Sequence, residues 1–268
     1  MFIRIISTAL DTAIPWFQVV VSPERLHALL HTKDPKTIAP ILPDILIKHS
    51  ADALQHILLK LIRDNFTGHT ADEIEHTLCR VRIAHDKTGE LRDNGQPYIQ
   101  HVYMTTLLAW TFAHLFCAPG TFDPRHLLLS CLYHDAIEDT HIFQLSDPGK
   151  QICRIAKLHG ESIAITVGYL TKMPLHVNKE FPALKTAYIA AHYTTFLSPE
   201  CSWITRFYKC CDRIANFSDF DFSPRDFFFR KLEETNTYFP KIITTCPEPF
   251  QTFFWEYIQS KATHFGNN

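Results

Sequence analysis

A chain of 268 residues is long enough to bury a full core, and with 46% apolar against 20% charged residues it reads as a globular protein rather than a set of membrane spans. The 26 Lys and Arg against 28 Asp and Glu leave a net charge of −2, which excludes the broad positive field that non-specific binding to nucleic acid or an anionic membrane requires. Any phosphate ligand must therefore be held by local groups.

The eight cysteines, at positions 79, 117, 131, 153, 201, 210, 211 and 246, show no CxxC spacing. Cys131 and Cys210 sit inside apolar runs, where free thiols act as small hydrophobes, so a cytoplasmic setting is expected. Residues 1–21 are apolar but interrupted by Arg4, Asp11 and Pro15, and no other segment reaches the roughly 18 uncharged apolar residues of a span. Neither a signal peptide nor a transmembrane helix is expected.

Glycine is scarce, alternating runs are few and apolar residues recur at three- and four-residue spacing, which predicts an all-α fold. Residues 1–70 read as a helical extension of short pieces cut by Pro15, Pro23, Pro35, Pro40 and Pro43. Its clearest element is an amphipathic helix over 45–63, with Ile47, Leu54, Ile57, Leu58 and Leu61 on one face. Residues 71–268 form the second unit. A long helix starts at Ala71, carries Ile74, Leu78, Val81 and Ala84, and stops at Asp86-Lys87-Thr88-Gly89. Residues 92–98 are a loop by their Asn94-Gly95 and Pro97, leading into a helix that starts near His101 and continues through Leu107, Leu108 and Trp110. Asp123-Pro124 opens a helix that enters His134. Further helices are predicted over 160–172, 182–197 and 202–218. After the break at 221–224 come two aromatic-rich helices, whose Phe227-Phe228-Phe229 and Phe253-Phe254-Trp255 are read as core.

One run resists explanation by packing: His134-Asp135-Ala136-Ile137-Glu138-Asp139, directly behind an apolar stretch. On a helix, His134 lies over Glu138, and Asp135 over Glu138 and Asp139, which gathers an imidazole and three carboxylates on one face. Such carboxylates repel one another at the end of a buried segment unless a cation neutralises them, and a divalent metal is the simplest one. The remaining ligands must come from other elements. His101, behind the rigid Pro97-Tyr98 turn, and Asp212, an acid among Cys210, Cys211 and Ile214, are the candidates. Each also has a plain reading, His101 as an ordinary core imidazole and Asp212 as a salt-bridge partner of Lys209 or Arg213.

The order His101, His134-Asp135, Asp212 resembles the HD superfamily of metal-dependent phosphohydrolases. The flanking residues are similar to the hydrolase domains of the RelA/SpoT family. R-D-N-G-Q-P-Y-I-Q-H, from Arg92 to His101, resembles the loop that introduces their first metal ligand. H-D-A-I-E-D-T from His134 resembles their HD-x-x-ED-T helix, D-R-I-A-N from Asp212 their D-R-x-x-N helix, and Gly168-Tyr169-Leu170-Thr171-Lys172 their G-V-T-K segment. The resemblance spans about residues 75–235. It implies an HD-domain helical bundle that binds Mn²⁺ through His101, His134, Asp135 and Asp212. Glu138 and Asp139 would then orient and deprotonate the attacking water, and Arg92, Asn94, Tyr98, Lys172 and Asn216 would contact the substrate.

The implied activity is removal of pyrophosphate from the 3′ position of guanosine tetra- or pentaphosphate, giving GDP or GTP. With no synthetase half following, the resemblance implies a stand-alone enzyme similar to the small alarmone hydrolases. Two departures bear on the substrate. Longer members often carry Lys-Ser after the loop arginine, where this chain has Asp93-Asn94, and the intervals between the motifs are long. The same centre would also serve an adenosine alarmone, the 2′-phosphate of NADPH or a nucleoside monophosphate, or sense a nucleotide without turnover. The expected partner is a small nucleotide, with no nucleic acid and no membrane. A cognate toxic nucleotide synthetase or a second copy of the chain are the protein partners considered.

Overall fold

A computed structural model describes residues 35–172 and 182–266, together with Ser22, Glu24, Leu26 and Ala28. The helices are α1 (Pro35–Ile38), α2 (Leu42–Leu46), α3 (Ala51–Asn65), α4 (Gly68–Asp86), α5 (Ile99–Phe116), α6 (Pro124–Tyr133), α7 (Ala136–Asp139), α8 (Pro148–His159), α9 (Glu161–Leu170), α10 (Pro182–Thr195), α11 (Trp203–Ser218), α12 (Arg225–Ile242) and α13 (Glu248–Gly266). Among the described residues the one β-type pairing is an isolated bridge between Leu91 and Pro97, so the fold is an all-α bundle. No helix among them is long and apolar enough to cross a membrane.

Several helices start where the sequence supplies an oxygen for the unpaired amides of a first turn. Ser50 accepts from the Ala53 amide, Asp123 from Arg125, Asp147 from Lys150 and Ser202 from Thr205, with Pro124 and Pro148 at first helical positions. Gly160, at φ 99°, lets α8 end and α9 begin at a single residue, a backbone geometry that a side chain would strain.

α5 is the axis of the bundle. Every residue from Ile99 to Ala113 is buried, as expected for a helix apolar on all sides. α3, α6 and α11 pack along it, and α13 closes the far side. There Phe112, Phe207, Phe250 and Phe253 interlock, with Phe207–Phe250 and Phe112–Phe253 centroids 4.5 and 4.9 Å apart. Phe228 and Phe254 are likewise buried, whereas Phe229 faces solvent. All eight cysteines are free thiols.

Three local expectations change. The helix expected over 45–63 is two helices, because α2 ends at Leu46 and Ser50 caps a new start at Ala51. α8 was not predicted, although Asp147-Pro148 marks its start as clearly as Asp123-Pro124 marks α6. The His134 helix stops at Tyr133 and restarts at Ala136. The described part of the expected N-terminal extension shares the core with the rest. Leu42, Leu46, Leu54, Ile57 and Leu61 are buried in it, and Asp44 receives the Tyr257 hydroxyl at 3.0 Å and the Lys261 ammonium at 2.8 Å from α13. Gln100 ties the same region to α5: its Nε2 donates to the carbonyls of Ile47 at 3.1 Å and His49 at 2.6 Å, and its Oε1 accepts from Asn94 at 2.9 Å. Residues 1–21, with Pro15, as well as Pro23 and residues 173–181, lie outside the described residues.

Candidate metal centre

The break after α6 sets the first pair of ligands. His134 donates from Nδ1 to the Cys131 carbonyl at 2.7 Å, which fixes its ring and turns Nε2 toward α5 and α11. Asp135 follows at φ −105° and ψ −7°, so the two neighbouring side chains point at the same place instead of lying a helical step apart. α5 brings His101 and α11 brings Asp212 to that point.

The four groups converge. His101 Nε2 lies 3.0 Å from Asp212 Oδ1 and 3.5 Å from Asp135 Oδ2, while His134 Nε2 lies 3.0 Å from Asp135 Oδ2 and 3.8 Å from Asp212 Oδ1. The two imidazole nitrogens are 3.4 Å apart. Ligands held about 2.1 Å from one ion stand about 3.0 Å apart at right angles and about 3.4 Å apart at the tetrahedral angle, so His101, His134 and Asp135 lie close enough to share one ion, with Asp212 at hydrogen-bond distance from His101. The two imidazoles and the Asp135 carboxylate, all buried, are a group that could hold a divalent ion, and the Asp212 carboxylate beside them is buried too.

Electrostatics bind the cluster tightly. Burial alone would push the Asp135 and Asp212 carboxyls up, but His134 and His101 beside Asp135, and Lys209 and His101 beside Asp212, hold both below the usual carboxylate range. Burial lowers His134, yet the adjoining Asp135 and Asp212 outweigh it and raise its pKa to about 9. His101 moves the other way, lowered by burial and by the Arg92 charge. Lys209 Nζ sits 2.9 Å from Asp212 Oδ2, which realises one of the two salt bridges considered for that acid; Arg213 turns instead to Glu234 and Tyr193.

Glu138 and Asp139 stand at the end of α7, on the rim of a cleft of about 1300 Å³ between α4 and residues 137–148. Glu138 is held from both sides, by the Lys172 amide at 3.2 Å and by the Lys172 ammonium, and burial raises its pKa. Asp139 has no such cation. Burial, Asp135 and Glu138 push its pKa up to about 8, and its Oδ2 is buried without a hydrogen-bond partner. A carboxyl near neutrality, with a free oxygen at the edge of a cleft, is equipped to exchange a proton.

The five residues expected to contact substrate all have protein partners here. Tyr98 donates to Asp135 Oδ2 at 3.1 Å, and Asn216 Nδ2 donates to Asp212 Oδ1 at 2.9 Å, so they hold the two carboxylates of the cluster in place. Arg92 bonds Asp219 at 2.6 Å, reaches Asn216 Oδ1 at 3.5 Å and lies over the Tyr98 ring, closing the 90–98 loop onto α11. Asn94 accepts from the Gln96 amide and donates to Gln100 in the turn that Gly95 completes at φ 76°. Lys172 is engaged by Glu138.

Two further residues around the centre escaped the reading of the sequence. Asp219 is an acid seven residues after Asp212, with nothing local to mark it as the anchor of Arg92. His85 stacks on Tyr98 with centroids 5.5 Å apart, and neither ring nitrogen has a partner. Its signal, a histidine at the end of a helix ahead of the loop, is common to many ordinary histidines. Comparison with protein-family models and with curated proteins finds no match to this chain.

Proposed function

We propose that the chain is a metal-dependent phosphohydrolase of the HD type, and that it removes the 3′ pyrophosphate of guanosine tetra- or pentaphosphate. The observation that carries the reading is the convergence of His101, His134, Asp135 and Asp212 next to an Asp139 carboxylate with a buried, unpartnered oxygen. The motif resemblance to RelA/SpoT hydrolase domains supplies the substrate class.

A divalent ion bound by those four side chains would supply Lewis acidity toward a phosphate oxygen and lower the pKa of water at the site. The protein's own part is positional. Tyr98, Asn216 and Lys209 hold the ligand carboxylates, and the Cys131 carbonyl holds His134. Asp139 takes a proton from the attacking water while Glu138, fixed by Lys172, orients it. Water adds at the 3′ phosphorus, the bond from phosphorus to O3′ breaks, and O3′ leaves with a proton, giving GDP or GTP and pyrophosphate.

The test is turnover of guanosine tetraphosphate by the full chain with Mn²⁺, with the products separated by anion exchange. GDP and pyrophosphate are the expected products. Undiminished turnover by His134→Ala would remove the metal centre from the reaction, and stoichiometric nucleotide binding without product would make the site a sensor.

A further inference from the structure

The wall of the cleft opposite Glu138 and Asp139 carries a charge pattern of its own. His76 and Arg80, one turn apart on α4, and Lys87, the residue that caps its end, line the cleft together with Ile83 and Ala84, so an imidazole, a guanidinium and an ammonium border it on one side. Among the described residues none of the three has a carboxylate partner. The contrast lies on the same helix: Arg82, on another face, pairs with Asp52 at 2.8 Å and Asp86 at 2.7 Å, while Glu73 and Glu75 pair with Arg125 and Arg63. Arg82, Glu73 and Glu75 are thus neutralised on other faces of α4, while Arg80 and Lys87 are left without a carboxylate toward the cleft among the described residues.

Arg80 is also held in position. Its Nη1 donates to the Tyr133 hydroxyl at 3.1 Å, and its guanidinium lies 5.3 Å from the centroid of Phe143. Phe143 and Gln144 form the floor with φ of 61° and 59°, two successive non-glycine residues in a left-handed conformation that the chain adopts only where something requires it. The side chain that this turn places under Arg80 makes a flat apolar platform beside a cation. An oriented guanidinium open to a cleft, with the His76 imidazole one turn before it and the Lys87 ammonium two turns after it, matches a phosphate group.

We propose that the α4 face of this cleft is a second phosphate subsite, in which His76, Arg80 and Lys87 receive a phosphate of the substrate other than the one hydrolysed at the metal centre. Resting on the phosphohydrolase reading, the subsite makes the enzyme selective for nucleotides phosphorylated at two positions over monophosphates. The cleft runs from these side chains to Glu138 and Asp139, so one nucleotide reaches both.

Two measurements on the full chain test it. The first titrates inorganic pyrophosphate calorimetrically without added metal. Binding should weaken about tenfold in Arg80→Ala/Lys87→Ala, less in Lys87→Ala alone, and stay unchanged in His134→Ala. Because Lys87 is solvent-exposed, its single variant tests the subsite without disturbing the Tyr133 contact. The second compares, with Mn²⁺, a guanosine nucleotide phosphorylated at 3′ and 5′ with one phosphorylated at 3′ alone; the double variant should raise KM for the first and leave the second as it is. Wild-type affinity in the double variant, or loss of pyrophosphate binding in His134→Ala alone, would overturn the subsite and leave the hydrolase reading intact. Weakened pyrophosphate binding in the double variant, with no turnover of any nucleotide by the wild type, would keep the subsite and remove the hydrolase.

Discussion

His101 Nε2 lies 3.0 Å from Asp212 Oδ1, although the two are 111 positions apart in the chain. Two helices packed side by side, α5 and α11, deliver the imidazole and the carboxylate to one point, and the break after α6 delivers the other pair. An ion bound there would tie three elements together and so link metal binding to folding stability.

That linkage is measurable. At a hundredfold excess over its dissociation constant, Mn²⁺ should add about 2.7 kcal/mol to the wild type, a rise of about 5–10 °C in melting temperature for a chain of this size. His134→Ala and Asp212→Asn should lose both the shift and the bound metal by elemental analysis. An equal shift in both variants would place the ion elsewhere.

Arg92→Ala tests the anchoring of the 90–98 loop. Asp219 is 2% exposed and its salt bridge to Arg92 measures 2.6 Å. Removing the guanidinium leaves that carboxylate buried without its cation, a loss of about 3–5 kcal/mol in urea unfolding with no nucleotide present. Wild-type stability in the variant would reassign Arg92 to a role played only in substrate binding.

Asp139→Asn should lower kcat about 10²- to 10⁴-fold with metal content unchanged, the cost of losing a general base. Glu138→Gln should cost less in kcat and loosen Lys172, which then has no carboxylate to hold it. As a base must be deprotonated to act, kcat/KM should rise with pH through the pKa of Asp139, and that limb should vanish in the asparagine variant. Persistence of the limb in Asp139→Asn would assign it to another group.

His85 gives a stability signature in acid. Burial lowers its pKa from 6.5 to about 4, so the folded protein keeps it neutral while the unfolded chain takes up a proton once pH falls below 6.5. Its contribution is whole above pH 6.5, is lost at up to about 1.4 kcal/mol per pH unit on the way down to pH 4, and changes no further below that. Denaturant midpoints across this window should fall more steeply for the wild type than for His85→Phe. Parallel curves would show that other groups carry the acid sensitivity.

The sequence made the helical class legible because α3, α4 and α11 repeat apolar residues on a helical period, and Asp123-Pro124 marks a start by local chemistry; the start that Ser50 caps was hidden inside an apolar pattern that continues across it. His101, His134, Asp135 and Asp212 were legible as a set through motif order; the structure gathers the first three within reach of one ion and sets Asp212 3.0 Å from His101. The way His134 and Asp135 meet was not, because a continuous helix over 134–139 satisfies the same local rules; the stop at Tyr133 depends on where the His134 imidazole finds a carbonyl. Nor were the partners of Arg92 and Lys172 readable. A loop arginine and an acid 127 residues later carry no shared local signal, and only the packing of the loop on α11 joins them.

Gln100 has a consequence for where the folding unit begins. One residue before His101, its buried amide is satisfied by Ile47, His49 and Asn94, two of which precede the first recognisable motif. A fragment trimmed to the motif-bearing stretch would strip that amide of its acceptors and uncover the greasy side of α5 that Leu54 and Leu58 cover. The boundary of the chemistry and the boundary of the stable body are different places on this chain.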